Sequence, residues 1–296
     1  MSTIWQEIRS KLLYSGSKIG LLIGINVAVY LAVSIGDVFT FLFGMGHDYI
    51  ERTYTDEYLA LTTYLPHLAL RFWTPLTYMF MHANFFHILF NMLWLYWMGQ
   101  IFEEYLGTKR IVGLYLMGGL AGALAVIAAF NLIPVFTGEG LIPIIGASAS
   151  VMAIVVATAT LLPNYTIYMM FLGPVKLKWL AIAYVLIDFI GIAGANAGGE
   201  IAHIGGALLG FIYIKQLQRG NDWNKPLARV FDPPGKVKVV YRSNSGYTQR
   251  TAAVPNAYPG QDEIDRILDK ISHSGYKSLS KQERDTLQRA SNANEK

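Results

Sequence analysis

The feature that most constrains this chain is a series of apolar stretches, each about as long as a bilayer crossing, which takes roughly 17–25 residues. They run at about 19–43, 76–98, 110–132, 144–162, 176–194 and 201–217, the last three short or interrupted. Hydrocarbon offers backbone N–H and C=O groups no water, so such stretches must satisfy them internally as helices. The expected fold class is an all-α membrane protein with six transmembrane helices. Composition agrees: 53% of the residues are hydrophobic and 15% are charged, well under the quarter usual in soluble domains.

Loop charge sets the expected orientation. Arg9, Lys11 and Lys18 precede the first stretch; Lys109 and Arg110 follow the second, Lys176 and Lys178 the fourth, and Lys215 and Arg219 the sixth. The loops at 131–145 and 193–200 hold neither Lys nor Arg. By the positive-inside rule both termini are expected in the cytoplasm. The loop at 44–75 is amphipathic and rich in aromatics (Tyr49, Tyr54, Tyr58, Tyr64, Phe72, Trp73), so it is expected to lie in the outer interface. The first eighteen residues, with Trp5, Glu7 and Lys18, read as no cleavable signal peptide.

Three regions follow: a membrane domain over 1–218, a Pro/Gly/Ser-rich flexible linker over 219–260, and a small helical module over 261–296. In the last, Ile264, Ile267, Leu268 and Ile271 recur at helical spacing, and Ser280 with Glu283 forms a capping box for a second helix. This pattern predicts a short soluble helical hairpin. Residues 1–218 carry 10 basic and 11 acidic side chains, against 14 and 9 in 219–296. A basic tail beside a membrane domain fits an anionic lipid surface, and without a groove-reading motif nucleic acid is not expected as a partner. There is no cysteine, which excludes disulfides, thiol nucleophiles and Cys-based zinc sites.

Polar groups inside hydrocarbon each need an account. The second stretch contains HANFFHILFN, with His82, His87 and Asn91; His87 and Asn91 share a helix face. The fourth opens on PIIGASASVMAI with Ser148 and Ser150, and the sixth on EIAHIGGALLG with His203. Gly146, Ser150, Ala153 and Ala157 make a small-residue stripe, as do Gly206 and Gly210, and such stripes let membrane helices approach closely. An imidazole on one helix then reaches a hydroxyl on another. The two serines point about 200° apart, so only one faces His203, and spacing alone does not choose between them.

The order HxxxxHxxxN, G-x-S, AHxGG, together with WTPLTYMFMH and FEEYLGTKRIVGLYLMGGLAG, resembles the rhomboid intramembrane serine proteases over about residues 19–217. The tail resembles a helical module appended to some bacterial rhomboids. The resemblance implies Ser148 as nucleophile and His203 as base, with no acid completing a triad. It implies oxyanion stabilisation by His87, Asn91 and the backbone N–H groups of Ser148 and Ala147, with His82 and Gly146 supporting. It further implies transmembrane protein substrates, no cofactor and no metal, a bacterial cytoplasmic (inner) membrane location, and a cytosolic protein partner for the hairpin. Two departures stand out: Ala149 where the family has a second glycine, and Trp73-Thr74 where it has Trp-Arg, with Arg71 in another register. Ser150 is expected to bond back to its own helix. Asp188, near the outer end of the fifth stretch, reads as a protonated or tyrosine-paired carboxylate; the sharper alternative has it tuning His203 or lining the substrate entrance. Two rival functions are an inactive rhomboid-like protein that binds membrane clients without cutting them, and a small transporter or channel. Inactive relatives typically lose the Ser or the His, both present here, and the halves of the chain show no repeat of the kind transporters use.

Overall fold

The computed structural model describes residues 17–137, 142–169, 173–225 and 261–293, in two units divided between residues 237 and 238. Arg9, Lys11 and most of the expected linker lie outside the described residues. In the first unit, helix α1 spans Ile19–Leu42. After it come a π-helical segment Glu51–Leu59, the short helices α2 (Leu65–Leu70) and α3 (Thr74–Thr77), and a 3-10 turn Tyr78–Phe80. Helices α4 (Phe85–Leu106), α5 (Ile111–Leu132) and α6 (Ser148–Leu161) follow. A two-stranded antiparallel hairpin, β1 (Thr166–Met169) with β2 (Gly173–Lys176), pairs Thr166 with Lys176. Helices α7 (Leu177–Gly191) and α8 (Ala197–Gln218) complete the unit.

Helices α1, α4, α5 and α8 are long and apolar enough to cross a membrane. Their flanks expose large apolar side chains, among them Phe39 on α1, Phe86 and Phe90 on α4, and Leu124 on α5. Water would penalise such faces and lipid does not. Helices α6 and α7 have 14 and 15 residues, or just over ~20 Å at 1.5 Å per residue, short of the ~30 Å hydrocarbon layer. Every residue from Ala149 to Ala159 is buried, which makes α6 the central helix and explains why it is apolar all round.

Two boundaries differ from the sequence reading. The second stretch, expected from residue 76, becomes helix α4 only at Phe85, and His82 lies before the helix instead of on it. Asn84 decides this: its Oδ1 accepts the His87 N–H at 2.9 Å, and this cap outweighs the apolar run upstream. Helix α8 begins at Ala197, before the expected residue 201.

The segment between α1 and α4 is tied down by polar contacts. The Trp73 indole donates to the Tyr58 carbonyl at 2.7 Å, and Arg71 pairs with Glu57 while lying over the Tyr58 ring. Leu61 and Ile144 exchange backbone bonds of 2.9 and 3.1 Å, and Gly146 N–H reaches the Tyr78 carbonyl at 3.0 Å. The approach to α6 is thus fastened to the first loop.

At the Lys/Arg-bearing end, Lys18 N–H donates to Glu103 at 2.9 Å. Arg110 pairs with Asp222 at 2.9 Å, and the Asn224 amide donates to the Lys109 carbonyl at 3.0 Å. Asn224 is buried and fills the space beside Gly113, where a Cβ would sit 1.6 Å from its Oδ1. This corrects the expected linker boundary at 219, because the chain still packs through residue 224.

In the second unit, α9 (Gln261–Ser274) and α10 (Lys281–Ala293) are joined through Lys270, whose Nζ bonds both Glu283 oxygens at 2.9 and 3.0 Å. Ser280 N–H donates to Glu283, and Glu283 N–H donates back to Ser280 Oγ, the reciprocal capping box expected. Ile267 is buried, Ile264 and Ile271 are half-buried, and Leu268 is exposed.

Candidate active site

The site begins with the chain's entry into α6. Gly146 has φ +137°, a conformation that side chains beyond glycine rarely adopt. A Cβ there would sit 2.9 Å from His87 Nε2 and 3.3 Å from Ser148 Oγ, so the ring and the hydroxyl crowd one side of this glycine. Ser148 is the first residue of α6, after buried Ala147 at the cap position. No side chain caps this helix among the described residues, which leaves its first N–H groups as free donors.

Helix α8 reaches α6 at backbone contact. A Cβ on Gly206 would meet the Ala149 carbonyl oxygen at 2.1 Å, and one on Gly210 the Ala153 oxygen at 2.2 Å. Of the Gly146, Ser150, Ala153 and Ala157 stripe read from spacing, Ala153 meets α8 at its backbone, together with Ala149, which lies outside that stripe. Ser150 turns the other way. It is fully buried beside Gly119, and its Oγ lies 3.9 Å from Met79 Sδ without the expected bond to its own helix. The methyl of Ala149 is accommodated by Gly122, where a Cβ would approach it to 2.6 Å. That accounts sterically for the departure at 149.

Ser148, His203, His87 and Asn91 line one cavity of about 1120 Å³. Its remaining wall is largely apolar, with Phe90 and Trp94 from α4, Phe136, and Phe189 from α7. The Asn91 amide donates one N–H to the His87 carbonyl at 2.9 Å, leaving its second N–H unengaged. His82, buried, packs edge-on against His87 with ring centroids 5.2 Å apart. No hydrogen bond within 3.5 Å joins Ser148 to His203 among the described residues, a looseness common in sites without substrate.

Asp188 differs most from expectation. It makes no hydrogen bond to a tyrosine among the described residues. Its Oδ1 lies 3.1 Å from His203 Nδ1, and Glu200 Oε2 lies 3.7 Å from the same nitrogen. The ligand atoms of Asp188, Glu200 and His203 lie within 4.8 Å of one another, close enough to hold a divalent cation. The signal was an acid one turn from the end of α7, at the depth of His203 on the next helix. The contact to His203 is the one that the sharper of the two sequence readings of Asp188 named; Asn84, the cap that orients the start of α4, carried no expectation, although Asn before an apolar helical run is a standard start signal.

A family model described as "Rhomboid domain" matches residues 69–219, and one described as "Family of unknown function (DUF6576)" matches residues 258–293. Among curated proteins, "RHOMBOID-like protein 12, mitochondrial" of Arabidopsis thaliana is 30% identical over 160 residues, 51% of this chain and 48% of that protein. "Rhomboid protease GlpG" of Yersinia pseudotuberculosis serotype I (strain IP32953) is 27% identical over 144 residues, 48% and 47% of the two chains. "Presenilin-associated rhomboid-like protein A, mitochondrial" of Danio rerio is 30% identical over 139 residues, 46% and 35%. The matches thus span about half or less of these relatives.

Proposed function

The chain belongs to the rhomboid family of multi-pass membrane proteins, and from that premise we propose that it is an intramembrane serine endopeptidase cleaving transmembrane segments of other proteins. The observation that carries this reading is the convergence of Ser148, His203, His87 and Asn91, from three helices, on one cavity with apolar walls. Such a wall suits an apolar segment, and the polar group of four suits its peptide bond.

His203 Nδ1 faces Asp188, so Nε2 is the nitrogen free to take the Ser148 proton. As Oγ attacks the peptide carbonyl, the oxyanion is met by the second Asn91 N–H, the His87 ring and the uncapped N–H groups at the start of α6. Each donor is worth ~3 kcal/mol in a water-poor site. The amine leaves with the proton from Nε2, and water then hydrolyses the acyl-enzyme. Gly146 and His82 hold His87 in place by packing.

In this reading six helices cross the membrane, the short α6 and α7 included. The end bearing Lys109, Arg110, Lys178 and Lys215 faces the cytoplasm of a bacterial cell with both termini. Residues 261–296 form a separate module that meets a cytosolic protein partner. The test is a fluorophosphonate probe together with a reporter transmembrane substrate in proteoliposomes. Labelling and cleavage are both expected in the wild type and absent in Ser148→Ala; a Ser148→Ala protein that still cleaves removes the proposal.

A further inference from the structure

We propose that the paired strands β1 and β2, together with the first turn of α7, form a ledge that docks anionic phospholipid headgroups through Lys176 and Lys178, with Tyr168 and Trp179 seated in the same interface. The inference goes beyond the protease reading and needs only the membrane embedding of the chain. Side chains along a strand alternate between two faces. Thr166 opposes Lys176 and Tyr168 opposes Pro174, and all four are exposed. On the other face Ile167, Met169 and Val175 are half-buried, Ile167 against the core of the membrane unit. One face of the strands is thus held by protein, and the other carries an aromatic ring 84% exposed, that of Tyr168.

The ledge is fixed at its root. Leu177 N–H donates to the Tyr165 carbonyl at 2.9 Å, and Lys178 N–H to the Pro163 carbonyl at 3.2 Å. The Tyr165 ring meets that of Tyr105, at the end of α4, with centroids 6.3 Å apart. The strands join the end of α6, at Leu161, to the start of α7, at Leu177. They therefore lie where two membrane helices end, at the level where hydrocarbon gives way to headgroups. Lys215 marks the same end on α8, its Nζ 5.6 Å from the centre of the Phe211 ring. A lysine whose stem lies along apolar surface reaches for the interface in this way.

Charge says what covers this face. Residues 162–187 include Lys176 and Lys178 and no Asp or Glu. Neither lysine enters an ion pair among the described residues. Nor does the helix account for them: α7 has no acidic residue in its first turn, and cations at a helix start oppose its dipole. The first two N–H groups of α7 are already engaged with Tyr165 and Pro163, so an anion here is met by the ammonium groups. Trp179 is 59% exposed, with Lys178 Nζ 5.4 Å from its ring centroid. Exposed indole and phenol rings belong to the headgroup layer, and lysines beside them enrich anionic lipid there by about fivefold each. Lysine is depleted in interfaces between proteins, which favours lipid over a protein occupant. Because Leu177 and Lys178 begin α7, an occupied ledge also fixes the depth at which that helix presents Tyr184 and Phe189 to the cavity.

The experiment uses the full-length chain, which has no native cysteine, with Thr166→Cys carrying one fluorophore on the exposed face of β1. The protein is reconstituted in vesicles of phosphatidylcholine with about a third phosphatidylglycerol, and one lipid or the other carries a nitroxide quencher near its headgroup. The ratio of quenching by the two lipids, at equal quencher fraction, reads the local enrichment. Phosphatidylglycerol is expected to be enriched about fivefold or more over phosphatidylcholine. The double variant Lys176→Gln with Lys178→Gln should bring the ratio to within about twofold of unity at an unchanged melting temperature, and Lys176→Arg with Lys178→Arg should restore it. Added salt should lower the ratio.

A ratio near unity with both lysines present, or a ratio that the double glutamine variant leaves unchanged, overturns the proposal. Quenching by neither lipid puts the strands in water and overturns it in favour of a cytosolic protein partner. Enrichment lost on adding millimolar inorganic phosphate at constant ionic strength assigns the lysines to a soluble anion and overturns the lipid. If the double glutamine variant does not fold, Lys176→Gln and Lys178→Gln singly decide: each should lower the ratio by about twofold or more, and a ratio unmoved by either overturns the proposal. None of these readouts involves Ser148, so failure of the protease reading and failure of the ledge are told apart.

Discussion

Replacing Gly206 with alanine tests whether the spacing between α6 and α8 controls the chemistry. The added Cβ would stand 2.1 Å from the Ala149 carbonyl oxygen, where ordinary contact begins at 3.4 Å. The helices must part by about 1.3 Å, the difference, because neither clashing group is a side chain that can rotate away. Overpacking of this kind costs about 1–3 kcal/mol, partly offset by the ~1 kcal/mol by which alanine is the better helix former. The catalytic effect is larger. Ala149 follows Ser148 directly, and Gly206 lies one turn from His203, so the separation falls between hydroxyl and imidazole. A misplacement of about 1 Å is worth roughly a hundredfold in rate, or ~2.7 kcal/mol. The assay is kcat on a reporter transmembrane substrate, with a thermal melt of the same preparation. Gly210→Ala meets Ala153 at 2.2 Å one turn deeper, and should lose comparable stability with less effect on kcat. Gly24→Ala, with nothing within 4 Å of the new methyl, should match wild type. A Gly206→Ala protein with wild-type melting and kcat would refute the backbone contact; lowered melting with unchanged kcat would refute its link to the site.

Four further outcomes are expected. Ser150→Ala should keep substantial cleavage activity while Ser148→Ala loses it, since Ser150 faces Met79 and Gly119; the same reporter assay checks this. Asn91→Ala should lower turnover by about one to three orders of magnitude with little change in KM, as loss of a preorganised donor does, read from full kinetic curves. A chain ending at Lys225 should melt like the full-length membrane unit and cleave the reporter. One ending at Arg219 loses the Asp222 and Asn224 contacts and should be destabilised by about 1–3 kcal/mol. In the tail, the Lys270 ammonium and the Ser280 N–H and hydroxyl bonds hold the Glu283 carboxyl at about 2 instead of its usual 4.5. Its stabilisation of the α9–α10 pairing is therefore complete above pH 4.5 and is lost as pH falls toward 2. A carboxyl NMR titration should show that midpoint rising in Lys270→Ala.

Much of the membrane unit is legible in one dimension because hydrocarbon enforces one local solution. Apolar runs near bilayer length must be helices, so the cores of α1, α4, α5 and α8 follow from composition and length. The same pressure makes His87, Asn91 and His203 conspicuous, since a polar group in lipid needs a reason to be there. The capping box of Ser280 and Glu283 is equally local and equally readable. What the sequence could not contain is which faces meet. Two serines on opposite sides of α6 look alike until Gly206 presses on Ala149 and turns Ser150 toward Met79. His82 reads as part of a helix until Asn84 spends its side chain on the His87 N–H. Residues 221–224 read as linker until Asn224 fills the space beside Gly113. Asp188 and His203 stand fifteen positions apart on different helices, and only the turn between α7 and α8 brings Oδ1 to Nδ1. Local chemistry, being short-ranged along the chain, was decided by sequence; the rotation and separation of helices, set by contacts between distant backbones, was decided by the tertiary structure alone.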